Sequence, residues 1–313
     1  MSSHLINETT NGVYIISATP FDDAGNVDKK SVDSLTDFYL DAGVDGLTIL
    51  GVLGEATKLT NEERREVMAQ MLKRVDGRKK VIVGASDPGT DNMIRFAKES
   101  MDLGAAGVMI APIPGLKTDA QVYNYWAHVL KQLGPDVPVC YQDYPQTTTV
   151  FTAMSVLLKL IEEFPNFVML KHEEGSGLNK VTQLRDQSAA KGLRRISVLV
   201  GNGGLYLPQE LRRGVDGAMT GFAYPEMLVE VCQKFHAGQV EEAEDVFDLY
   251  LPVLRHEQQL GFGLAVRKEI LRRRGAIASS RVRHPGPVLN DADHKELDSL
   301  LARLERCLAA RKG

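Results

Sequence analysis

The chain has 313 residues, with 37 Lys and Arg against 41 Asp and Glu and a formal charge of −4. Its 43% hydrophobic and 25% charged content is that of a globular protein and excludes a disordered chain, a collagen-like repeat and a disulfide-stapled miniprotein. The near-balanced charge argues against a nucleic-acid binder working through bulk positive charge, and no apolar run reaches the roughly 18 residues of a membrane span.

The N-terminal MSSHLINETTNG is polar and lacks the apolar core of a secretory signal. Cys140, Cys232 and Cys307 show neither CxxC nor Cys/His spacing. The expectation is a cytoplasmic protein with reduced thiols and no metal site. Apolar, β-rich runs follow at 13–21, 46–51, 80–86, 107–112, 137–145, 166–174, 196–202 and 217–223. Most are continuous Val/Ile/Leu stretches without polar alternation, as in parallel strands buried on both faces. Helical patterns separate them at 28–42, 91–103, 119–133 and 153–164. Another opens on Thr60 and Glu63, a capping box, and carries Val67, Met68, Met71, Leu72 and Val75 before a stop at Gly77. After residue 225 only helical periodicity remains, with an apolar stripe of Val240, Ala243, Val246, Phe247, Tyr250 and Leu251. Pro252 predicts a kink or break there, and Arg272, Arg273 and Arg274 a solvated helix face.

Eight alternating β and α units imply right-handed parallel crossovers and an α/β fold. The expected architecture is a (β/α)8 TIM barrel over residues 1–224, with a C-terminal helical extension over 225–313 packed on it. An open doubly wound sheet is the alternative.

In such a barrel, polar residues at the C-terminal strand ends carry function. The sixth run places Lys171 after four apolar residues, which reads either as a lysine emerging into solvent or as a Schiff-base nucleophile. At a reference pKa near 10.4 only about one lysine in 2,500 is neutral at pH 7, so a nucleophilic lysine needs burial to disfavour its ammonium form. The second run ends in Gly51-Val52-Leu53-Gly54-Glu55, where glycines let the backbone present N–H groups to an anion. The fifth ends in Tyr141-Gln142-Asp143-Tyr144-Pro145. Strand alternation puts Gln142 and Tyr144 on one face and Tyr141 and Asp143 on the other. A phenol near a lysine can shuttle protons. The last two runs end in Gly201-Asn202-Gly203-Gly204 and Gly217-Ala218-Met219-Thr220-Gly221, possible anion-binding ends without the Lys-Ser/Thr of a P-loop. His172-Glu173-Glu174 is not a zinc motif on its own.

Together these residues resemble the pyruvate-dependent class I aldolases, the family that contains dihydrodipicolinate synthase and N-acetylneuraminate lyase. The resemblance runs from about residue 12 to the C-terminus. It rests on Thr19-Pro20-Phe21, the GxxGE turn at 51–55, the Tyr144-Pro145 end of the fifth run, Lys171, Gly201-Asn202, the Gly217–Gly221 segment and the helical tail. It implies a lyase, an aldolase or a dehydratase, in which Lys171 forms a Schiff base with pyruvate or another 2-keto acid. An aldehyde is the second substrate, no cofactor is required, and the assembly is a homotetramer or dimer. The resemblance places the keto acid's carboxylate on the GxxGE turn, and the proton shuttle on a strand-five tyrosine.

The departures from the family pattern fall around the lysine. Val52 and Leu53 stand where the family carries two hydroxyl residues. Pro112-Ile113-Pro114 stands where synthases carry Pro-Tyr-Tyr. Counting from Pro145, Gln142 occupies the place of the usual tyrosine and Thr147 that of the arginine that holds the carboxylate of aspartate semialdehyde. The expectation is therefore a retained Schiff base with a different second substrate. Lys171 and Tyr144 are the catalytic candidates, with Tyr141 reachable only through a local bulge. Val52, Leu53, Gln142, Gly201, Asn202, Met219 and Thr220 are the substrate-binding candidates. Val52, Leu53 and Ile113 favour a less hydrophilic substrate. A true 4-hydroxy-tetrahydrodipicolinate synthase and a catalytically silent small-molecule-binding barrel are the alternatives.

Overall fold

The computed structural model describes residues 4–175 and 177–312. Eight parallel strands close into a barrel in sequence order: β1 Gly12–Ile16, β2 Gly46–Ile49, β3 Lys80–Gly84, β4 Gly107–Ile110, β5 Val139–Asp143, β6 Phe167–His172, β7 Ser197–Val200 and β8 Gly217–Ala218. The open-sheet alternative is thereby excluded, since β8 pairs with β1. Between and after the strands lie α1 Lys29–Asp41, α2 Asn61–Val75, α3 Thr90–Asp102, α4 Asp119–Leu133, α5 Pro145–Thr148, α6 Met154–Glu163, α7 Leu178–Ala190 and α8 Leu207–Arg212. Then follow α9 Pro225–His236, α10 Val240–Glu257, α11 Gly263–Arg273 and α12 Asp291–Lys312. The fold is a (β/α)8 TIM barrel with a C-terminal helical extension.

The strands read as unbroken apolar runs because each face meets a different core. Val13, Ile15, Leu47, Ile49, Val81, Val83, Tyr141, Leu170 and Val198 face outward against the helices. Tyr14, Ile16, Ile82, Met109, Cys140, Met169, Leu199 and Met219 fill the lumen. The alternation of side chains along a strand produces the two layers. These lumen side chains fill the middle of the barrel.

The capping box at Thr60 and Glu63 forms as expected. Helix α10 is continuous through Pro252, contrary to the expected break. Proline removes one helical donor, yet Val246, Phe247, Tyr250, Val253 and Leu254 on the same helix are buried, and that packing holds the helix together. The arginine run also departs from a simply solvated face. Arg272 and Arg273 pair with Glu269, and Arg274 bonds Glu226 and the Ala223 carbonyl while lying over the Phe38 and Tyr224 rings. No helix among the described residues is long and apolar enough to cross a membrane.

Helix α11 is held by two buried ion pairs, one to the turn after β2 and one to the end of α10. Lys268 Nζ lies 2.6 Å from Glu55 Oε1 and donates to the carbonyls of Thr19 at 2.8 Å and Arg281 at 2.9 Å. Burial pulls its ammonium down to about 8, against the opposing pull of Glu55. Arg267 pairs with Glu257, whose other oxygen accepts the Ala223 N–H at 3.0 Å. Removing one partner leaves a buried charge uncompensated. Glu55→Ala is therefore expected to cost about 3–5 kcal/mol, read as a lowered midpoint of urea denaturation followed by circular dichroism.

Candidate active site

Strands β5 and β6 pair so that Gln142 lies opposite Lys171 and Asp143 opposite His172. Cys140 and Met169 are lumen residues, so Gln142 and Lys171, two positions further along, face the lumen too. Lys171 is only 4% exposed. Its Nζ lies 2.9 Å from Glu173 Oε2, and the same oxygen accepts a hydrogen bond from Gln142 Nε2 at 2.7 Å. The Glu173 carbonyl accepts from Asn202 Nδ2 at 3.0 Å. A side chain at Gly201 would collide with the Glu173 carboxylate, so glycine is what lets that carboxylate settle against β7.

Glu173 is thus the functional candidate that sequence reasoning missed. The signal was present, because Glu173 follows β6 directly, two residues after Lys171, and continued alternation puts the two on the same face. Gly201 and Asn202 do reach the site, and they do so by holding Glu173. Gln142 serves the same carboxylate.

The two tyrosines separate cleanly. Tyr141 points out of the barrel, packs on Trp126 at 4.1 Å and Phe167 at 6.0 Å between ring centroids, and shares a hydrogen bond with Thr152. Burial pushes its phenol far up, in a setting remote from the lumen. Tyr144 sits half-buried where β5 meets α5. Its phenol is raised by burial and then by the neighbouring Glu173 carboxylate, which places Tyr144 within the electrostatic reach of that group.

The GxxGE turn is held by backbone bonds from Gly54 to Gly51 at 3.0 Å and from Glu55 to Val52 at 3.0 Å. These use neither the Val52 nor the Leu53 N–H. Thr19 Oγ1 donates to the Gly54 carbonyl at 2.6 Å. Leu53 packs against the lumen cluster, whereas Val52 stays 53% exposed. Met219 forms part of the floor, 4.0 Å from the Cys140 thiol. The Thr220 hydroxyl accepts from the Gly203 N–H at 2.7 Å and so ties β8 to the β7 turn. Thr48 on β2 is a second residue that sequence reasoning missed. It lies between outward-facing Leu47 and Ile49, and its buried hydroxyl has no hydrogen-bond partner among the described residues.

A cavity of about 290 Å³ opens over the ends of β2 to β5. Val52, Met109, Pro112, Ile113 and Pro114 give it an apolar wall, and Ser86, Asp87, Gln142, Thr147 and Thr148 its polar groups. Among the described residues no lysine or arginine lines it. Thr147 does line it, at the place where a synthase would present arginine.

Comparison with known proteins adds a family to this geometry. The sequence matches the model of the dihydrodipicolinate synthetase family over residues 9–304. The chain belongs to that family. Among members of the dihydrodipicolinate synthetase family and their relatives, L-2-keto-3-deoxyarabonate dehydratase of Azospirillum brasilense is 30% identical, covering 94% of each chain. The 4-hydroxy-tetrahydrodipicolinate synthase of Oceanobacillus iheyensis is 29% identical over 92% of this chain and 95% of its own. A crystal structure of dihydrodipicolinate synthase from Rhodopseudomonas palustris superposes with a TM-score of 0.92 at 46% identity, covering 96% of this chain and 99% of that one.

The placement of the tyrosines gives a direct test. Tyr141→Phe is expected to leave turnover unchanged and to cost about 1–2 kcal/mol of stability, because Thr152 loses a buried hydrogen-bond partner. Parallel measurement of kcat and of the thermal midpoint checks both halves.

Proposed function

We propose that this protein is a lyase that forms a Schiff base between Lys171 and the keto carbon of a 2-keto acid. The observation that carries the proposal is the buried pair of Lys171 and Glu173, 2.9 Å apart at the open end of the lumen. A nucleophilic lysine must shed a proton before it attacks, and a carboxylate at hydrogen-bond distance can take it. Neutral Lys171 then adds to the ketone, water leaves, and the iminium draws electrons from the adjacent carbon. Removal of a proton from that carbon, by Glu173 or Tyr144, gives the enamine. The enamine either expels a hydroxyl from the next carbon, which is dehydration, or bonds to an aldehyde, which is aldol addition; cleavage is the reverse. The Val52 and Leu53 N–H groups are the proposed seat of the substrate's carboxylate.

Within this class we favour dehydration or aldol chemistry on a substrate without a second carboxylate. Support comes from the cavity, which has no cationic residue among its described lining, and from the dehydratase activity named for the Azospirillum relative. The resemblance to the Rhodopseudomonas protein favours 4-hydroxy-tetrahydrodipicolinate synthase as the second reading. A silent binding barrel is the third.

Borohydride reduction in the presence of pyruvate, read by mass spectrometry, is expected to leave a stable increment on Lys171. No adduct with any member of a 2-keto acid panel would sink the Schiff base and favour the silent barrel. Lys171→Ala is expected to abolish both adduct and turnover. Comparable kcat/KM for pyruvate with aspartate semialdehyde as for a 2-keto-3-deoxy sugar acid would restore the synthase reading. Glu173→Gln, which keeps the shape and removes the base, is expected to lower kcat by about 10²-fold or more. Tyr144→Phe is expected to leave the adduct measurable and slow turnover; unchanged turnover would remove the phenol from the mechanism.

A further inference from the structure

The cavity over the ends of β2 to β5 carries one charged group among its described lining, and that group is a carboxylate. Asp87 stands between β3 and α3. Its Oδ1 accepts the Gly89 N–H at 2.8 Å, and its Oδ2 lies 3.4 Å from Arg64 Nη1. Arg64 comes from α2 and is only 7% exposed, with its guanidinium carbon 4.5 Å from the centre of the Phe96 ring. Its Nε and Nη2 are buried without a hydrogen-bond partner, and Asp87 is its one ion-pair partner, among the described residues. A guanidinium is thus kept out of water at the cost of two unmet donors. The pair turns its acid toward the cavity and its base away from it, since Asp87 lines the cavity and Arg64 does not.

A carboxylate offers about four acceptor positions on its two oxygens. Gly89 and Arg64 take one on each, so each oxygen keeps a position for a further donor. Arg64 already balances the charge, so the donor that fits is a neutral hydroxyl and not a second cation. A carboxylate brought to the same place meets like charge, and no lysine or arginine in the described lining offsets it. Ser86 adds to the polar edge, because its oxygen accepts the Ala111 N–H at 2.9 Å and its own proton is left to donate. The apolar wall of Val52, Met109 and Ile113 suits the C–H face of a hydroxylated chain. Gln142 joins this cavity to the lysine, since it lines the one and bonds Glu173 beside the other.

We propose that Asp87, held by Arg64, is a specificity-determining residue that selects 2-keto acids bearing hydroxyl groups beyond the keto carbon and rejects those that end in a second carboxylate. The proposal rests on the Lys171 Schiff base put forward above and names the group that recognises the rest of the substrate. The keto carbon is held at Lys171, the chain runs along the apolar wall, and its hydroxyls donate to the free positions of the Asp87 carboxylate. Asp87 takes no part in making or breaking bonds. Discrimination then has an attractive side and a repulsive side, both supplied by one charge.

The test compares three five-carbon 2-keto acids that differ only beyond the third carbon: 2-oxopentanoate, a 2-keto-3-deoxypentonate and 2-oxoglutarate. The readout is the concentration that half-saturates borohydride trapping on Lys171, summed over substrate and product adducts and taken relative to pyruvate. In the wild type the hydroxylated acid is expected to trap at about tenfold lower concentration than 2-oxopentanoate, the effect of one hydrogen bond to a charged group, and 2-oxoglutarate at about tenfold higher. Asp87→Asn keeps the size and removes the charge. It is expected to shrink the first difference severalfold and to abolish the second, whereas a merely structural role would move all three acids together. Equal half-saturation of the three acids in the wild type would overturn the proposal without any variant. Wild-type ratios in Asp87→Asn would overturn it as well. If wild-type Lys171 gives no adduct with pyruvate, the lyase reading fails separately, and dissociation constants of the same three acids from calorimetry decide the role of Asp87 by the same ratios. Absence of binding by all three would overturn both.

Discussion

A single buried ion pair, Lys171 with Glu173, sets the terms for the rest of this protein. Two charges withdrawn from water are costly unless their geometry is good and their remaining valences are met. The barrel meets them from three neighbouring strand ends. Gln142 on β5 donates to the carboxylate, Asn202 after β7 holds the peptide, and Gly201 makes room. None of these residues is explained by packing alone. Each makes sense as a means of keeping a base beside an amine in a place that water barely reaches.

The same pair accounts for the departures from the family pattern. Where the strand-five tyrosine is replaced by Gln142, the lumen gains a donor that can orient a carboxylate and loses a phenol that can move a proton. Glu173 is the proposed proton acceptor in its stead, with Tyr144 half-buried at the end of β5. The apolar wall of Val52, Ile113 and the neighbouring prolines lines the cavity that Gln142 shares.

The barrel was legible in the sequence because strands covered on both faces must be apolar throughout, and eight such runs leave few alternatives. The orientation of Tyr141 was legible for the same geometric reason, since alternation along β5 sends it to Trp126. Glu173 was missed because that alternation was applied to β5 and not carried past His172 on β6. Strand β8 covers only Gly217–Ala218, although the run extends to 223; Met219 and Thr220 still bond to β7 and β1, and from Gly221 on the residues meet α10 and α11 instead. Of the kink or break expected at Pro252, the break does not occur, because tertiary packing holds the helix. The Lys268 clasp on Glu55 had no local signature, being a meeting of residues 213 positions apart.

That clasp bears on when the enzyme becomes an enzyme. Glu55 is held by Lys268 and by the Arg283 N–H, both contributed near the end of the polypeptide. During synthesis the eight strands and Lys171 emerge from the ribosome first, while Glu55, at the foot of the GxxGE turn, has only the partly exposed Lys58 as counter-charge. The nascent barrel therefore carries Lys171 before the GxxGE turn has its buried anchor, and the docking of α11 is the event that completes that anchor.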